Sequence, residues 1–358
     1  MREPSSGTAG GPAAGNARTA PCVTALICLA AMLAVAGCAP TVTGLGPPAA
    51  EPVLAEDHIV TADGTRLPLQ IWRPDGPPAA VLIGLHGFGD YANGFDRPAR
   101  WWAERGILTY AYDQRGFGRT ETRGLWPGTT ALVSDFGTAA RLIRVRHPGL
   151  PLYAVGVSMG GSVILAAQGA VDPAPIDGAI LSAPGVAGAP DDNRLQRAGL
   201  WLATHLMPWS TVSGEHVRRH PSDNIEMLRA LHRDPHVMKK ARLDVVYGLI
   251  TLADDALAAA PRSDDRLLVL YGRHEDIVLR GGREALLATL PAGNGWRLAE
   301  YPDGYHLLLR DRNAELVYAD VVAWLRDADA PLPSGAERRD RTLRPAPSDP
   351  PGHNAVSD

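Results

Sequence analysis

Two residues, a serine in a glycine-framed turn and a histidine far downstream, form a candidate pair for covalent catalysis. Ser158 is the centre of residues 156–160, which read Gly-Val-Ser-Met-Gly. A nucleophile on a sharp strand-to-helix turn needs small neighbours, because the backbone there is strained and crowded. A strand-like run, Leu152–Val157, precedes the serine and a helical pattern follows it. The pattern predicts a nucleophile; the alternative is a turn in which Ser158 only caps a helix.

The base expected for such a serine is a histidine that follows an acid later in the chain. Only His306 and His353 lie beyond the region where the acid is expected, and His353 stands in a proline-rich tail. His306 comes just after the strand-like Trp296–Tyr301. A loop at a strand end would let its imidazole reach Ser158, so we expect His306 to be the general base.

Two adjacent carboxylates compete for the third role. The strand-like Leu267–Tyr271 is followed by a short loop that contains Glu275 and Asp276. The acid must orient His306 and stabilise its cationic form. Either carboxylate could do so chemically, and the residues alone leave the choice open.

The elements that would position these residues alternate between strands and helices. Apolar runs predict strands that are buried on both faces. Strands are expected at His58–Thr61, Arg66–Arg73, Ala80–Leu85, Ile107–Tyr112, Leu152–Val157, Gly178–Ser182, Leu267–Tyr271 and Trp296–Tyr301, the first two as a hairpin. Helices are expected at Phe95–Arg105, Thr130–Arg146, Met159–Ala170, Glu284–Leu290 and Leu316–Leu325. The alternation predicts an α/β fold with a mostly parallel sheet covered on both sides.

The alternation is interrupted between about residues 187 and 262, which look largely helical and show no clear strand. We interpret this stretch as a helical cap inserted into the sheet. Trp201, Leu206 and Trp209, together with Leu202 and Met207, are candidates for lining an acyl pocket in the cap. The tail, residues 328–358, is rich in Pro, Arg, Asp and Ser and is predicted to be disordered.

Four motifs together resemble the monoacylglycerol lipase and lysophospholipase group, which includes the serine aminopeptidase-like hydrolases. They are His-Gly-Phe-Gly-Asp at 86–90, Asp-Gln-Arg-Gly-Phe-Gly at 113–118, the turn at Ser158, and Gly-Tyr-His at 304–306. The resemblance spans about residues 55–327. It implies an α/β-hydrolase fold and hydrolysis of a lipid or small ester through an acyl-enzyme, with no cofactor and no metal.

The resemblance also implies roles for individual residues. The family's acid usually stands three residues after the strand-end glycine, which is Glu275 here, although the family generally has aspartate there; Asp276 is the alternative. The oxyanion hole would be formed by the backbone N–H groups of Phe88 and Met159. A peptidase, an acyltransferase and a non-catalytic lipoprotein remain alternatives. A peptidase would need pocket carboxylates, for which the cap offers Asp191, Asp192, Glu215 and Glu226.

The N-terminus is typical of a bacterial lipoprotein. Residues 1–37 hold positive charges and then an apolar run, Val23–Gly37, that is too short to span a bilayer comfortably. Residues 33–38, Leu-Ala-Val-Ala-Gly-Cys, resemble a lipobox, which implies a lipid on Cys38 and a location on the periplasmic side of a membrane. Residues 38–54 are rich in Pro and Gly and predict a flexible tether. Ala39 in place of aspartate favours the outer membrane by resemblance to enterobacterial lipoproteins.

Composition excludes several other classes of site. The net charge of the 358 residues is -4 and no dense basic stripe is present, so no nucleic-acid partner is expected. The three cysteines all lie within the first 38 residues. The remaining chain therefore has no disulfide, no thiolate metal site and no cysteine nucleophile. The cap histidines are expected to be surface residues: His216, His220, His232 and His236.

Overall fold

The computed structural model describes residues 39–187, 194–213, 219–263, 266–291 and 295–338. The described residues from Pro40 onward belong to one compact unit. The predicted signal peptide and Cys38 lie outside the described residues, as do most of the predicted tail residues. None of the described helices is long and apolar enough to cross a membrane.

The described residues form eleven strands and eight α-helices. The strands are β1 Val53–Leu54, β2 His58–Val60, β3 Arg66–Trp72, β4 Ala80–Leu85, β5 Ile107–Tyr112, β6 Leu152–Val157, β7 Gly178–Ser182, β8 Thr211–Ser213, β9 Lys240–Arg242, β10 Leu267–Gly272 and β11 Trp296–Tyr301. The helices are α1 Asp96–Ala103, α2 Thr129–Arg146, α3 Met159–Gln168, α4 Arg194–Leu206, α5 Ile225–Arg233, α6 Leu243–Ala259, α7 Arg280–Thr289 and α8 Ala314–Arg326.

Nine of these strands pair in one sheet in the order β1-β2-β3-β5-β4-β6-β7-β10-β11. The pairs from β5 to β11 are parallel, and the edge formed by β1, β2 and β3 is antiparallel. The carboxyl ends of β4, β6, β10 and β11 therefore meet at one edge of the sheet, where ligands bind in open α/β sheets. The predicted α/β class and its mostly parallel sheet are confirmed.

The apolar runs form strands because the sheet is buried on both faces. Along β4, Val81, Ile83 and Leu85 pack into one apolar cluster and Leu82 into the other, as the two-residue period of a strand requires. The first cluster includes residues of α2, α3 and α6, and the second includes residues of α1 and α8. Two layers of helices thus fix the sheet and the loops at its carboxyl edge.

The stretch between about residues 187 and 262, which we call the cap, contains a small sheet that the sequence did not indicate. In it, β8 and β9 pair antiparallel, with Thr211 opposite Arg242 and Ser213 opposite Lys240. The expectation of no strand between about 187 and 262 was wrong. Strands of three residues are too short to show a two-residue period, and their pairing depends on a partner far away in the sequence.

The segment expected to be a flexible tether is attached to the domain from Thr41 onward. Thr41 N–H donates to Asp244 Oδ2 at 3.1 Å, Thr43 N–H donates to the Trp126 carbonyl at 3.0 Å, and residues 53–54 form β1. The Pro/Gly content excludes a helix there, but it does not prevent hydrogen bonds from an extended chain.

The first part of the predicted tail is also packed on the domain. Leu332 is buried, Glu337 forms an ion pair with Arg297 at 2.6 Å, and Ser334 N–H donates to the buried Asp320 at 2.9 Å. Residues 328–338 are therefore ordered, contrary to the prediction. Composition missed them because a few specific contacts hold a segment that is polar on average.

Candidate active site

Ser158 lies in the turn between β6 and α3 in a backbone conformation that few side chains adopt. Its φ is 50° and its ψ is -114°, which is a strained geometry typical of a nucleophile turn. A Cβ at Gly160 would clash with the Leu85 carbonyl, and a Cβ at Gly156 would clash with the backbone of Gly160. Ser158 N–H donates to the Ser182 carbonyl at 2.9 Å, which fixes the turn against β7.

His306 and Glu275 form a buried pair on the loops that follow β11 and β10. Nδ1 of His306 lies 2.7 Å from Glu275 Oε2, and the two side chains are only 6% and 1% exposed. A carboxylate can only accept, so the proton of this hydrogen bond is assigned to Nδ1 and leaves Nε2 as the basic nitrogen. The other oxygen, Oε1, accepts from the N–H groups of Ile277 and Val278 at 2.7 and 2.9 Å.

Asp276, the other candidate acid, is exposed and does not contact His306. Its Oδ2 accepts from the backbone N–H of His220 in the cap at 3.0 Å. The structure therefore brings Glu275, and not Asp276, to His306.

Two glycines allow the loops of the acid and the histidine to touch. A Cβ at Gly272, the last residue of β10, would clash with the backbone of Gly304. His274 N–H donates to the Gly304 carbonyl at 3.0 Å, just before Glu275. This close crossing places Glu275 beside His306, and neither glycine had been assigned a role from the sequence.

Two backbone N–H groups are available next to Ser158. The N–H of Met159 is at the first position of α3, where a helix offers no internal acceptor. Phe88 follows Gly87, whose position for a Cβ lies 3.5 Å from the Cβ of Ser158. Within the described part of the chain, the Phe88 N–H has no hydrogen-bond acceptor. These are the two amides that the sequence predicted for the oxyanion hole.

The ring of His86 supports the loop that carries Phe88. The Nε2 atom of His86 accepts from Gln114 N–H at 2.9 Å, and Nδ1 lies 2.8 Å from the Gly87 carbonyl. Burial lowers the pKa of His86, which keeps the ring neutral and able to accept at Nε2. A further hydrogen bond to this loop comes from the cap, where Met238 donates its N–H to the Gly89 carbonyl at 2.7 Å.

A cavity of about 500 Å³ opens at Ser158. Its wall is apolar except for Ser158, Gln196 and Arg197; the remaining lining residues are Gly185, Val186, Ala187, Leu200, Leu249, Ile250, Ala253, Ile277, Val278 and Leu279. The volume is within the range of small-molecule sites, and the cavity carries no carboxylate on its described wall.

The predicted acyl-pocket residues do not line this cavity. Trp201, Leu206 and Trp209 are 49%, 50% and 55% exposed, and none of them belongs to the wall of the cavity at Ser158. Helix α4 instead contributes Gln196, Arg197 and Leu200 to the wall. The side of α4 that faces the cavity is therefore more polar than the side with Trp201 and Leu206. The prediction, made from hydrophobicity alone, named residues on the other side.

The link between the His306 loop and the cap was not predicted from the sequence. Asp311, which is 4% exposed, accepts from Tyr305 N–H at 2.8 Å and from the hydroxyl of Ser222 at 2.6 Å. Leu307 N–H donates to the carbonyl of Pro221 at 2.8 Å. Burial raises the pKa of Asp311 to about 6, against the two hydrogen bonds, which lower it. Both neighbours of His306 are thus held by one cap segment.

Some predicted residues lie outside the described residues: Cys38, Asp191, Asp192, Glu215 and His216. Glu226 lies on α5 and is not part of the cavity wall. In the described ranges, no group of three or more His, Cys, Asp or Glu side chains could hold a metal ion.

The architecture, with a nucleophile turn after a central strand and an acid and a histidine after later strands, is that of the α/β-hydrolases. Solved structures agree. A soluble variant of monoglyceride lipase from Saccharomyces cerevisiae, bound to a substrate analog, aligns with a TM-score of 0.64 at 19% identity over 78% of this chain and 94% of that chain. A Paleococcus ferrophilus monoacylglycerol lipase gives a TM-score of 0.62 at 19% identity over 72% and 98%.

The family model described as serine aminopeptidase, S33, matches residues 76–313, and the chain belongs to that family. It is 27% identical over 283 residues to a monoacylglycerol lipase of Mycolicibacterium smegmatis, which covers 76% of this chain and 96% of the relative. It is 25% identical over 284 residues to the human monoglyceride lipase, with coverages of 76% and 91%. The chain is a serine carboxylic-ester hydrolase.

Proposed function

We propose that the protein hydrolyses the ester bond of glycerolipids with a single acyl chain, monoacylglycerol or lysophospholipid. The observation that carries this proposal is the apolar cavity that opens at Ser158. An acyl chain can occupy that space with its carbonyl carbon at the serine, while the polar glycerol part stays outside. The names of the relatives from Mycolicibacterium smegmatis and human support the same substrate class.

In the proposed mechanism, Nε2 of His306 takes the proton of Ser158 as the hydroxyl attacks the ester carbonyl. Glu275 holds the ring and stabilises its positive charge. The amides of Phe88 and Met159 donate to the oxyanion, an effect of about 3 kcal/mol for each donor. The alcohol leaves with the proton from His306, and a water molecule, activated by the same base, then hydrolyses the acyl-enzyme.

A peptidase that selects a free amino group finds little support in the site, although the family description contains that activity. Such a substrate carries a positive charge and needs a carboxylate in the pocket. The described residues of the cavity wall include no Asp or Glu, and Asp254, an acid that pairs with the wall residue Arg197 at 2.7 Å, is neutralised by that ion pair.

The proposal is tested with the fragment that begins at Pro40, assayed on p-nitrophenyl esters of increasing chain length and on monoacylglycerol. We expect turnover by the wild type and a loss of at least about 10³-fold in kcat in Ser158→Ala. Ser134→Ala is the matched control, because Ser134 lies on α2 and does not line the cavity. An active Ser158→Ala variant, or a wild type inert on all these esters, would contradict the proposal.

We further propose that Cys38 carries the lipid that anchors the protein on the periplasmic side of the bacterial envelope, with the outer membrane favoured by Ala39. The support is the run at residues 33–38 and the short apolar segment before it. Metabolic labelling with a palmitate analogue should mark the wild type and leave Cys38→Ser unlabelled. Label on the serine variant would remove the assignment.

A further inference from the structure

Residues 41–43 connect the cap to the core near the start of the described chain; we call them the strap. Thr41 N–H donates to Asp244 Oδ2 at 3.1 Å, at the start of α6 in the cap. Thr43 N–H donates to the Trp126 carbonyl at 3.0 Å, in the core loop between β5 and α2. Two backbone donors of one short segment therefore bind the two parts of the molecule at the same time.

At its cap end, the strap contacts a buried carboxylate. The side chain of Asp244 is only 1% exposed, and its Oδ1 accepts from Nε of Arg242 at 2.9 Å. The N–H of Thr41 donates to the other oxygen. A buried carboxylate is costly unless its oxygens accept hydrogen bonds, and a negative charge in the first turn of a helix is favourable. The strap thus supplies one of the donors that stabilise the first turn of α6.

At its core end, the strap fixes the backbone of Trp126, whose ring contacts α6. The ring is buried, and a Cβ at Gly248 would lie 2.4 Å from three of its atoms. Gly248 comes about one turn after Asp244 on the helix. The strap therefore acts on α6 at two successive turns, directly at Asp244 and through Trp126 at Gly248.

The residues of α6 that follow Gly248 form part of the cavity at Ser158. They are Leu249, Ile250 and Ala253. Other residues of the helix are buried in the apolar core. Apolar packing is non-directional, so directional bonds are needed to fix where the helix lies along its axis. The strap provides such bonds at the N-terminal turns.

We infer that the strap is a positioning element for substrate binding: it holds the first two turns of α6 and so determines the shape of the cavity wall that contacts the acyl chain. The inference rests on the proposed function, because it takes this cavity as the acyl site. Ser158, Glu275 and His306 are carried by other elements, on the loops that follow β6, β10 and β11. Loss of the strap should therefore weaken the binding of a long acyl chain and leave the chemical step intact.

The test uses the full chain with Thr41→Pro/Thr43→Pro, which removes the two backbone donors of the strap. KM and kcat are measured on p-nitrophenyl butyrate and on p-nitrophenyl laurate. We expect KM for the laurate to rise at least about tenfold while kcat on the butyrate stays within about twofold of the wild type. The reason is that lost binding, when it is equal in the ground state and the transition state, changes KM alone.

Two controls separate the strap from general effects of substitution. Thr41→Ala/Thr43→Ala keeps both backbone donors and should behave as the wild type does. Ala49→Pro removes another hydrogen bond of the same N-terminal segment, from Ala49 N–H to the Ala62 carbonyl at 2.7 Å. That acceptor lies on the turn between β2 and β3 and is not part of the cap. The variant should leave KM for the laurate unchanged.

An unchanged KM for the laurate in the double proline variant would overturn the inference. Equal losses on both esters would also overturn it, because they would show that the strap only stabilises the fold, and urea unfolding measures that loss directly. A rise in Ala49→Pro as large as in the double proline variant would remove the assignment to α6. A wild type that is inert on every ester contradicts the proposed function instead, so the two failures are distinguishable.

Discussion

Both carboxylate oxygens of Glu275 are occupied, one by His306 and the other by two backbone N–H groups. The side chain is 1% exposed, so few water molecules can substitute for it. Its position therefore fixes which ring nitrogen of His306 carries the proton and which faces the serine. A neutral side chain of the same shape would keep the packing but would no longer fix which ring nitrogen of His306 carries the proton.

Glu275→Gln should lower kcat about 10³- to 10⁴-fold on a soluble ester, because the amide stabilises the wrong tautomer and cannot stabilise the imidazolium ion. Asp276→Asn, which changes a neighbouring exposed carboxylate, should leave kcat close to that of the wild type. Glu275→Asp should fall between them, because it keeps the charge and shortens the reach. The measurement is the pH–rate profile of all three variants. A large loss in Asp276→Asn with a mild one in Glu275→Gln would reverse the assignment.

The sequence alone singles out Ser158 and His306 as the candidates, because a nucleophile turn has a local pattern and few histidines follow it. It was not sufficient for the acid, because two carboxylates stand side by side. The choice depends on how the chain passes from Gly272 across Gly304, a contact between distant segments. The substrate-facing side of α4 was missed for a similar reason, since hydrophobicity does not say whether a side faces a cavity or a surface.

At the scale of elements, the cap segment at residues 221–224 joins the loop of His306 through Asp311. Burial holds the pKa of Asp311 at about 6, above the ordinary value of 3.8. The folded state therefore binds a proton between these two pH values that the unfolded state has released. The stability that protonated Asp311 contributes is present below about pH 3.8 and is lost as the pH rises through about 6.

Asp311→Asn should destabilise the protein most at acid pH, and the difference from the wild type should shrink as the pH rises from 4.5 to 8. The asparagine loses one of the two acceptor positions but has no proton to release. Urea unfolding at both pH values measures the difference, and Ser222→Ala, which removes one hydrogen bond to the same carboxylate, is the companion variant. A difference that grows with pH would show that Asp311 is ionised without penalty.

At the scale of the whole molecule, the central strands could be predicted because burial on both faces leaves an unmistakable apolar run. The two ends of the domain could not. Residues 41–54 and 328–338 are interrupted by Pro and Gly, and individual hydrogen bonds and ion pairs attach them. Such contacts follow no sequence period and do not alter the amino-acid composition, so neither criterion predicts them.

Two truncations test the packed C-terminal segment. A chain that ends at Arg338 keeps all the described contacts and should unfold within about 0.5 kcal/mol of the wild type. A chain that ends at Asp327 loses the burial of Leu332 and the hydrogen bonds that Ser334 makes to the buried Asp320. Its stability should fall by at least about 3 kcal/mol. Equal melting temperatures for the two chains would mean that residues 328–338 contribute nothing.

The attachment of the cap also decides how substrate can enter. The cap binds the loop of Phe88 through Met238 and Gly89, and the loop of His306 through Pro221 and Leu307. If the whole cap moved away as one rigid body, these hydrogen bonds would break and both loops would lose their support. The enzyme would then be inactive while the cap is open. We expect substrate to enter without loss of these hydrogen bonds through movement of α4, whose amides should exchange with deuterium faster than those of residues 222–224. Helix α4 would then move without the loops of Phe88 and His306, and the ester would reach a site in which both loops are already in place.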